Sequence, residues 1–309
     1  MFNVFTIPPR ELVSESLMRI NVSDFDLAGT LECGQAFRWQ RAPDGWFTGV
    51  VGGHAWRLWQ EGDCVEFDCS RSVSFGSASS LPEAHASATE RIRRYLALDV
   101  PLAKVIATFP DDEPLRAAVK KHWGLRVLRQ EPWETLASFI ASSTKQIVQI
   151  RQIVAHLARR FGDNDAFPAV DVIARATHQQ LLDCKLGFRA KYLLAAARAI
   201  DSGEVGLDQL PAMEYDRALE ELMKLAGVGE KIAACTLLFS CGHDDAFPID
   251  VWIERSLRRL YFNGEKVPVK RLREFTRSHF GPYAGWAQQY LFFQERTRGR
   301  QPVPDRVAE

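Results

Sequence analysis

The sequence predicts an α+β fold: an N-terminal antiparallel β-sheet subdomain followed by two mostly helical subdomains carrying a helix-hairpin-helix. Three observations predict it. Short aromatic and β-branched runs crowd residues 37–69, and almost everything after Asp112 repeats at helix spacing. Two of those helices, over 213–241, are separated only by Ala226-Gly227-Val228-Gly229. Strand runs followed by helix runs indicate α+β or separate domains. A chain of 309 residues has room for two or three packed subdomains, divided here as 1–115 and 116–309.

Taken in order, the first twelve residues lack a basic stretch and reach Pro8-Pro9 too early for a secretory leader. A reducing compartment is expected, either the cytoplasm (the bacterial nucleoid) or the nucleus of a eukaryote. Strands are expected over Phe37–Gln40, Trp46–Val51, Ala55–Trp59 and Cys64–Cys69, with turns at Pro43-Asp44-Gly45 and Gly52-Gly53. A serine-rich loop over 70–80 leads to Pro82-Glu83 and an amphipathic helix through Ile92, Tyr95 and Leu96. Helical spacing then joins Trp133, Leu136, Ala137, Phe139 and Ile140, and again Ile147, Ile150, Ile153, Val154 and Leu157, the latter ended by Phe161-Gly162. Further helices are read over Ala190–Ile200, Met213–Leu225 and Glu230–Cys241. Asp250 precedes one running through Leu260, and Pro282 opens the last.

Composition narrows the function. Hydrophobic residues at 46% and charged residues at 25% suit a soluble globular chain, and no apolar run approaches the roughly 18 residues of a membrane span. Cys33, Cys64, Cys69, Cys184, Cys235 and Cys241 show no metal-ligand or iron–sulfur spacing. Free thiols are expected, with no metal and no cofactor, and nothing demands more than a monomer. Net charge is zero, yet Leu115–Phe161 holds nine Lys and Arg against Glu131 and Glu134. Lys185, Arg189, Lys191 and Arg198 form a second basic block without acids, and a third runs from Arg255 to Arg277. A neutral average hides a basic face or simply charged helix surfaces; both fit.

Leu222, Leu225, Gly227, Val228, Gly229, Lys231 and Ala233 give L-x-x-L-x-G-V-G-x-K-x-A. The glycines permit a tight turn, Val228 plugs the space between the helices, and the amides opening the second helix offer a phosphate seat. An ordinary αα-hairpin explains the same glycines, and a non-catalytic DNA-binding module would carry them too. Lys231 is sharper. It falls in a helix's first turn, where the dipole disfavours an ammonium, and a neutral amine is a nucleophile. A phosphate or solvent contact is the plainer role. Asp250 fits an N-cap, or a carboxylate brought back beside Lys231 to stabilise charge on a sugar. Gln288 and Phe292 share a helix face, either as core or as amide and ring for an extruded base.

Together these pieces resemble the 8-oxoguanine DNA glycosylase family of the helix-hairpin-helix superfamily. The matching stretches, in the family's order, are Gly34-Gln35-Ala36-Phe37-Arg38-Trp39, Leu128-Arg129-Gln130, Phe139-Ile140-Ala141-Ser142-Ser143 and Gly187-Phe188-Arg189-Ala190-Lys191-Tyr192. After them come the hairpin with Lys231, Pro248-Ile249-Asp250-Val251, and Gly281 through Gln288. The resemblance implies a bifunctional glycosylase and lyase acting on 8-oxoguanine in double-stranded DNA. Lys231 would attack C1′, leaving a Schiff base that β-eliminates, and Asp250 would assist at the sugar. The Gly34 carbonyl would accept the N7–H that only the oxidised base carries. Phe292 and Cys235 would sandwich the base, and Gln288 would meet its Watson–Crick edge. The resemblance also implies DNA contacts from Gly227, Val228, Gly229, Thr144, Gln149, Phe188, Arg189 and Trp252. Here the chain departs from the eukaryotic pattern: Thr144-Lys145-Gln146 replaces three asparagines, Gln149 an arginine that reads the opposite cytosine, Phe188 a tyrosine and Trp252 a histidine. An alkylated-base glycosylase of the same superfamily is the nearest rival; it works without a lysine.

Overall fold

The computed structural model describes residues 17–71 and 81–298. The residues read against a secretory leader and most of the serine-rich loop lie outside these. Strands β1 (Met18–Asn21), β2 (Gln40–Arg41), β3 (Phe47–Val51), β4 (His54–Glu61) and β5 (Cys64–Arg71) form one antiparallel sheet in the order β1-β5-β4-β3-β2. Alternation along β4 and β5 turns Trp56, Leu58, Val65 and Phe67 inward, against Ile92 and Leu96 of and just beyond α2 (Leu81–Tyr95). Helix α1 (Leu27–Glu32) is capped by Asp26, whose Oδ1 accepts the Gly29 N–H at 3.0 Å. It delivers the chain to Gly34.

Two expectations about this half need correcting. Phe37–Gln40 is not a strand; only Gln40 joins the sheet, in a two-residue edge pairing with Thr48. The alternation there arises because neighbouring side chains enter different cores. Phe37 packs edge-on to Phe139 of the helical core, whereas Trp39 enters the sheet core and donates from Nε1 to the Tyr95 hydroxyl at 2.8 Å. Strand β1 and helix α1 were not anticipated. Met18–Asn21 buries only Ile20, too little for a periodic signal.

Three hydrophobic cores organise the molecule. After α3 (Leu102–Ile106) and α4 (Glu113–Lys121), the helical core gathers α5 (Pro132–Ser142), α6 (Ile147–Phe161), α7 (Val170–Ala174), α8 (His178–Asp183), α9 (Ala190–Asp201), α10 (Tyr215–Met223) and α11 (Glu230–Ser240). Helix α11 is its axis. All eight residues from Ile232 to Phe239 are buried, the pattern of a helix surrounded on every side. The third core joins α4 to α12 (Val251–Tyr261), α13 (Val269–His279) and α14 (Ala284–Arg298). Residue 115 therefore lies inside a helix that packs with the C-terminal elements, and a division there would cut α4. Among the described residues no helix is long and apolar enough to cross a membrane.

Candidate active site

The turn between α10 and α11 sets the site. Gly227 has φ of 82°, and an added Cβ would sit 2.4 Å from Cγ of Tyr192. Only glycine fits on both counts. Val228 is buried and its N–H donates to the Leu225 carbonyl, so it is the plug between helices rather than a surface contact. Gly229 caps α11 in extended geometry with open space where a Cβ would be. The N–H groups of Gly227 and Gly229 meet no acceptor among the described residues. Exposed amides at the positive end of an eleven-residue helix form an anion seat.

Lys231 is the second residue of α11. Its Nζ lies 4.7 Å above the centre of the Phe139 ring, on α5. One turn along, Cys235 is buried. Burial pushes its thiol up to about 11, while the Lys231 charge and hydrogen bond pull it down and Asp250 opposes them. Lys231, Cys235 and Asp250 thus share one electrostatic neighbourhood. Asp250 is also the N-cap of α12, accepting the Ile253 N–H on Oδ1 at 2.8 Å. The two roles read for it are compatible: the cap fixes a carboxylate whose charge reaches the Cys235 thiol.

Helix α14 closes the site. Gly285 seats it against α11, since a Cβ there would be 2.2 Å from Leu238 Cδ1. The Gly285 N–H and the Trp286 indole both donate to Asp244, each at 2.8 Å. Gln288, Phe292 and Arg296 then follow at helix spacing on one face. Gln288 is only 5% exposed, yet its Oε1 has no hydrogen-bond partner among the described residues. Such an orphaned acceptor costs about 1–3 kcal/mol, which a ligand donor would recover. Gly34, with φ of 98°, adjoins this face: its ideal Cβ would lie 3.4 Å from Phe292 Cε1, 3.1 Å from Ile147 Cδ1 and 2.9 Å from an Arg296 nitrogen.

The expected DNA contacts divide. Phe188 is 56% exposed, edge-on to Tyr192 and stacked by the Arg189 guanidinium at 4.3 Å. Trp252 is 54% exposed beside exposed Val251. Thr144 and Gln149 are exposed at the α5–α6 junction. Arg189 departs from expectation. It is buried, and its guanidinium donates to the Ser143 and Leu186 carbonyls and to the Thr144 hydroxyl. In this structure it braces the Thr144 loop instead of facing solvent. Sequence reasoning gave no role to Phe139, the seat of the lysine, or to Ile147 and Arg296 beside Gly34; their helical periodicity signals packing only.

A hairpin with free amides thus carries an amine and a thiol at its mouth, beside an aromatic and amide wall. The description "8-oxoguanine DNA glycosylase, N-terminal domain" matches residues 17–136, and "HhH-GPD superfamily base excision DNA repair protein" matches 137–280. The chain is 31% identical over 298 residues to an N-glycosylase/DNA lyase of Arabidopsis thaliana, covering 90% of this chain and 79% of the relative. Among solved structures, an 8-oxoguanine glycosylase/lyase of Clostridium acetobutylicum, bound to duplex DNA with cytosine opposite 8-oxoguanine, superposes with a TM-score of 0.81. It is 29% identical, over 91% of this chain and 98% of that one. MBOgg1, in complex with a low-affinity DNA ligand, gives 0.84 at 32% identity, over 93% and 98%. The chain belongs to the 8-oxoguanine DNA glycosylase family.

Proposed function

We propose that this protein is a bifunctional glycosylase and lyase that removes 8-oxoguanine from duplex DNA. The observation that carries the reading is the Lys231 amine at the mouth of α11, over the Phe139 ring and hydrogen-bonded to Cys235, whose thiol also feels the Asp250 charge. A cofactor-free glycosylase needs a nucleophile, a group to balance charge at the sugar and a slot for the base. Lys231 supplies the first. Its neutral amine bonds to C1′ as the C1′–N9 bond breaks, and the departing base takes the bonding electrons and a proton. Opening of the sugar ring leaves an imine; loss of a C2′ proton then expels the 3′-phosphate and nicks the strand. Asp250 offsets positive charge on the sugar during the first step. The extruded base lies between Phe292 and Cys235, with Gln288 at its Watson–Crick edge and the Gly34 carbonyl accepting from N7–H. Guanine itself carries an acceptor at N7 and is repelled there.

Wedging by Phe188 replaces the stacking that the extruded nucleotide gives up, and the hairpin amides hold a backbone phosphate. Lys231 argues against the alkylated-base reading, which requires no amine. Borohydride reduction on duplex containing 8-oxoguanine tests the proposal. Wild-type protein is expected to crosslink covalently to the strand, and Lys231→Gln to lose both crosslinking and excision. Full excision by that variant would overturn the chemistry.

A further inference from the structure

The carbonyls of Glu32, Cys33 and Gln35 are all engaged. Arg296 donates to Glu32 O at 2.8 Å, Gln289 approaches Cys33 O at 3.5 Å, and Gln130 Nε2 donates to Gln35 O at 2.9 Å. Among the described residues, Gly34 O is the member of this run that accepts nothing. The neighbours of that free carbonyl are held unusually tightly. The Gln35 side chain is 1% exposed and fully bonded. Its Nε2 donates to the carbonyls of Thr30 at 2.9 Å and Arg126 at 2.8 Å, and its Oε1 accepts the Leu128 N–H at 2.9 Å. Arg126 N–H in turn donates to the Thr30 hydroxyl. One amide therefore ties the end of α1 to the segment 125–130, which forms neither helix nor strand.

That segment runs on to the nucleophile's helix. Gln130 bonds Gln35 through its side chain and, through its own N–H, the carbonyl of Phe239 in α11 at 2.8 Å. Phe239 stacks on Phe139, the ring beneath Lys231. A continuous path of hydrogen bonds and ring contacts joins Gly34 to the lysine's surroundings. A buried amide with every donor and acceptor satisfied fixes geometry, because any displacement strands a polar group.

We propose that Gln35 and Gln130 are positioning residues for base selection: they fix the Gly34 carbonyl relative to α11, so that the group reading the base and the amine attacking the sugar keep one spacing. The inference rests on Gly34 being the reader of the oxidised base. A role confined to holding the fold would weaken every step alike, whereas a role in selection weakens the step that involves the base. The test compares, under single-turnover conditions, excision of 8-oxoguanine with β-elimination at a preformed abasic site, where no base is present. Gln130→Ala removes one side-chain bond and keeps the backbone bond to Phe239. It is expected to slow excision by about fivefold, the worth of one hydrogen bond, and to slow abasic-site elimination by much less. Gln35→Glu keeps the acceptor for Leu128 but loses both donors, and is expected to shift the same ratio further; should it not fold, Gln130→Ala decides alone. Equal slowing of both reactions, or no change in either, overturns the positioning role. Failure of the wild type to excise 8-oxoguanine would instead overturn the reading of Gly34, and the proposal with it.

Discussion

Lys231, Cys235 and Gln288 owe their character to where a polar group meets a buried surface. Lys231 stands at the mouth of the most buried helix, against the Phe139 ring. Gln288 holds a buried acceptor that is unsatisfied among the described residues. Such groups were legible in the sequence because their types are out of place: a lysine in a first helical turn, an amide amid aromatics. Their supports were not legible. Gln35 bonds Thr30 nearby, but its partners in Arg126, Leu128 and Gln130 lie 91 to 95 residues away, and nothing local signals them. Residue chemistry also decides what is read across the duplex. Thr144 and Gln149 are exposed but offer a hydroxyl and an amide, and the Gln149 Oε1 accepts the Gln146 N–H. The nearby guanidinium, Arg189, is committed to Ser143, Leu186 and Thr144. Cytosine presents acceptors that a free, planar guanidinium would meet in pairs. A shallow preference for cytosine opposite the lesion is expected. Excision rates measured with each of the four opposing bases check this, and a steep cytosine preference would refute it.

At the scale of elements, the hairpin separates two kinds of glycine that the sequence pattern alone treats alike. Gly227 is required by the fold: its φ is positive and Tyr192 occupies the space of a Cβ. Gly229 has φ of −94° and open space beside it, so the fold tolerates a side chain there. Its value is the access it leaves to the amides that open α11. Gly227→Ala is therefore expected to lower stability by about 2 kcal/mol or more, from backbone strain and overpacking. Gly229→Ala should cost under about 1 kcal/mol as a poorer N-cap but weaken DNA binding as the methyl covers the phosphate seat. Urea unfolding and duplex-binding titrations distinguish them. Equal stability losses, or unimpaired binding by Gly229→Ala, would contradict the division. Helix positions in this half were readable because periodicity survives burial on one face. α11, buried all round, was readable by its glycine start and its length, and α10 came out shorter than expected because Met213 and Glu214 are extended and the helix closes at Lys224.

Across the whole molecule, the junction between sheet and helices holds a carboxyl with unusual titration. Glu134, on α5, lies in a small cleft lined by Arg38, Val50, Val51, Tyr95 and Ser138. Burial raises its carboxyl from 4.5 to about 7; attraction from Arg38, whose Nε is 3.9 Å away, lowers it less, and Glu131 adds to the rise. In the unfolded chain the same carboxyl loses its proton near pH 4.5. Between that pH and about 7 the folded protein holds a proton that the unfolded chain has released, so stability falls as pH rises through this window and levels off above it. The magnitude is about 3 kcal/mol over the window, at about 1.4 kcal/mol for each pKa unit. Other groups titrate nearby: burial lowers His122 and His156, which makes stability fall as pH drops. The informative quantity is therefore the difference between wild type and Glu134→Gln, in which those histidines cancel. Relative to the variant, wild type is expected to lose stability from pH 5 to about pH 7 and to level off by pH 8, as read from urea midpoints at each pH. A difference that stays flat over that range would mean that the sheet–helix junction solvates this carboxylate, and that the two subdomains part there more readily than their packing implies.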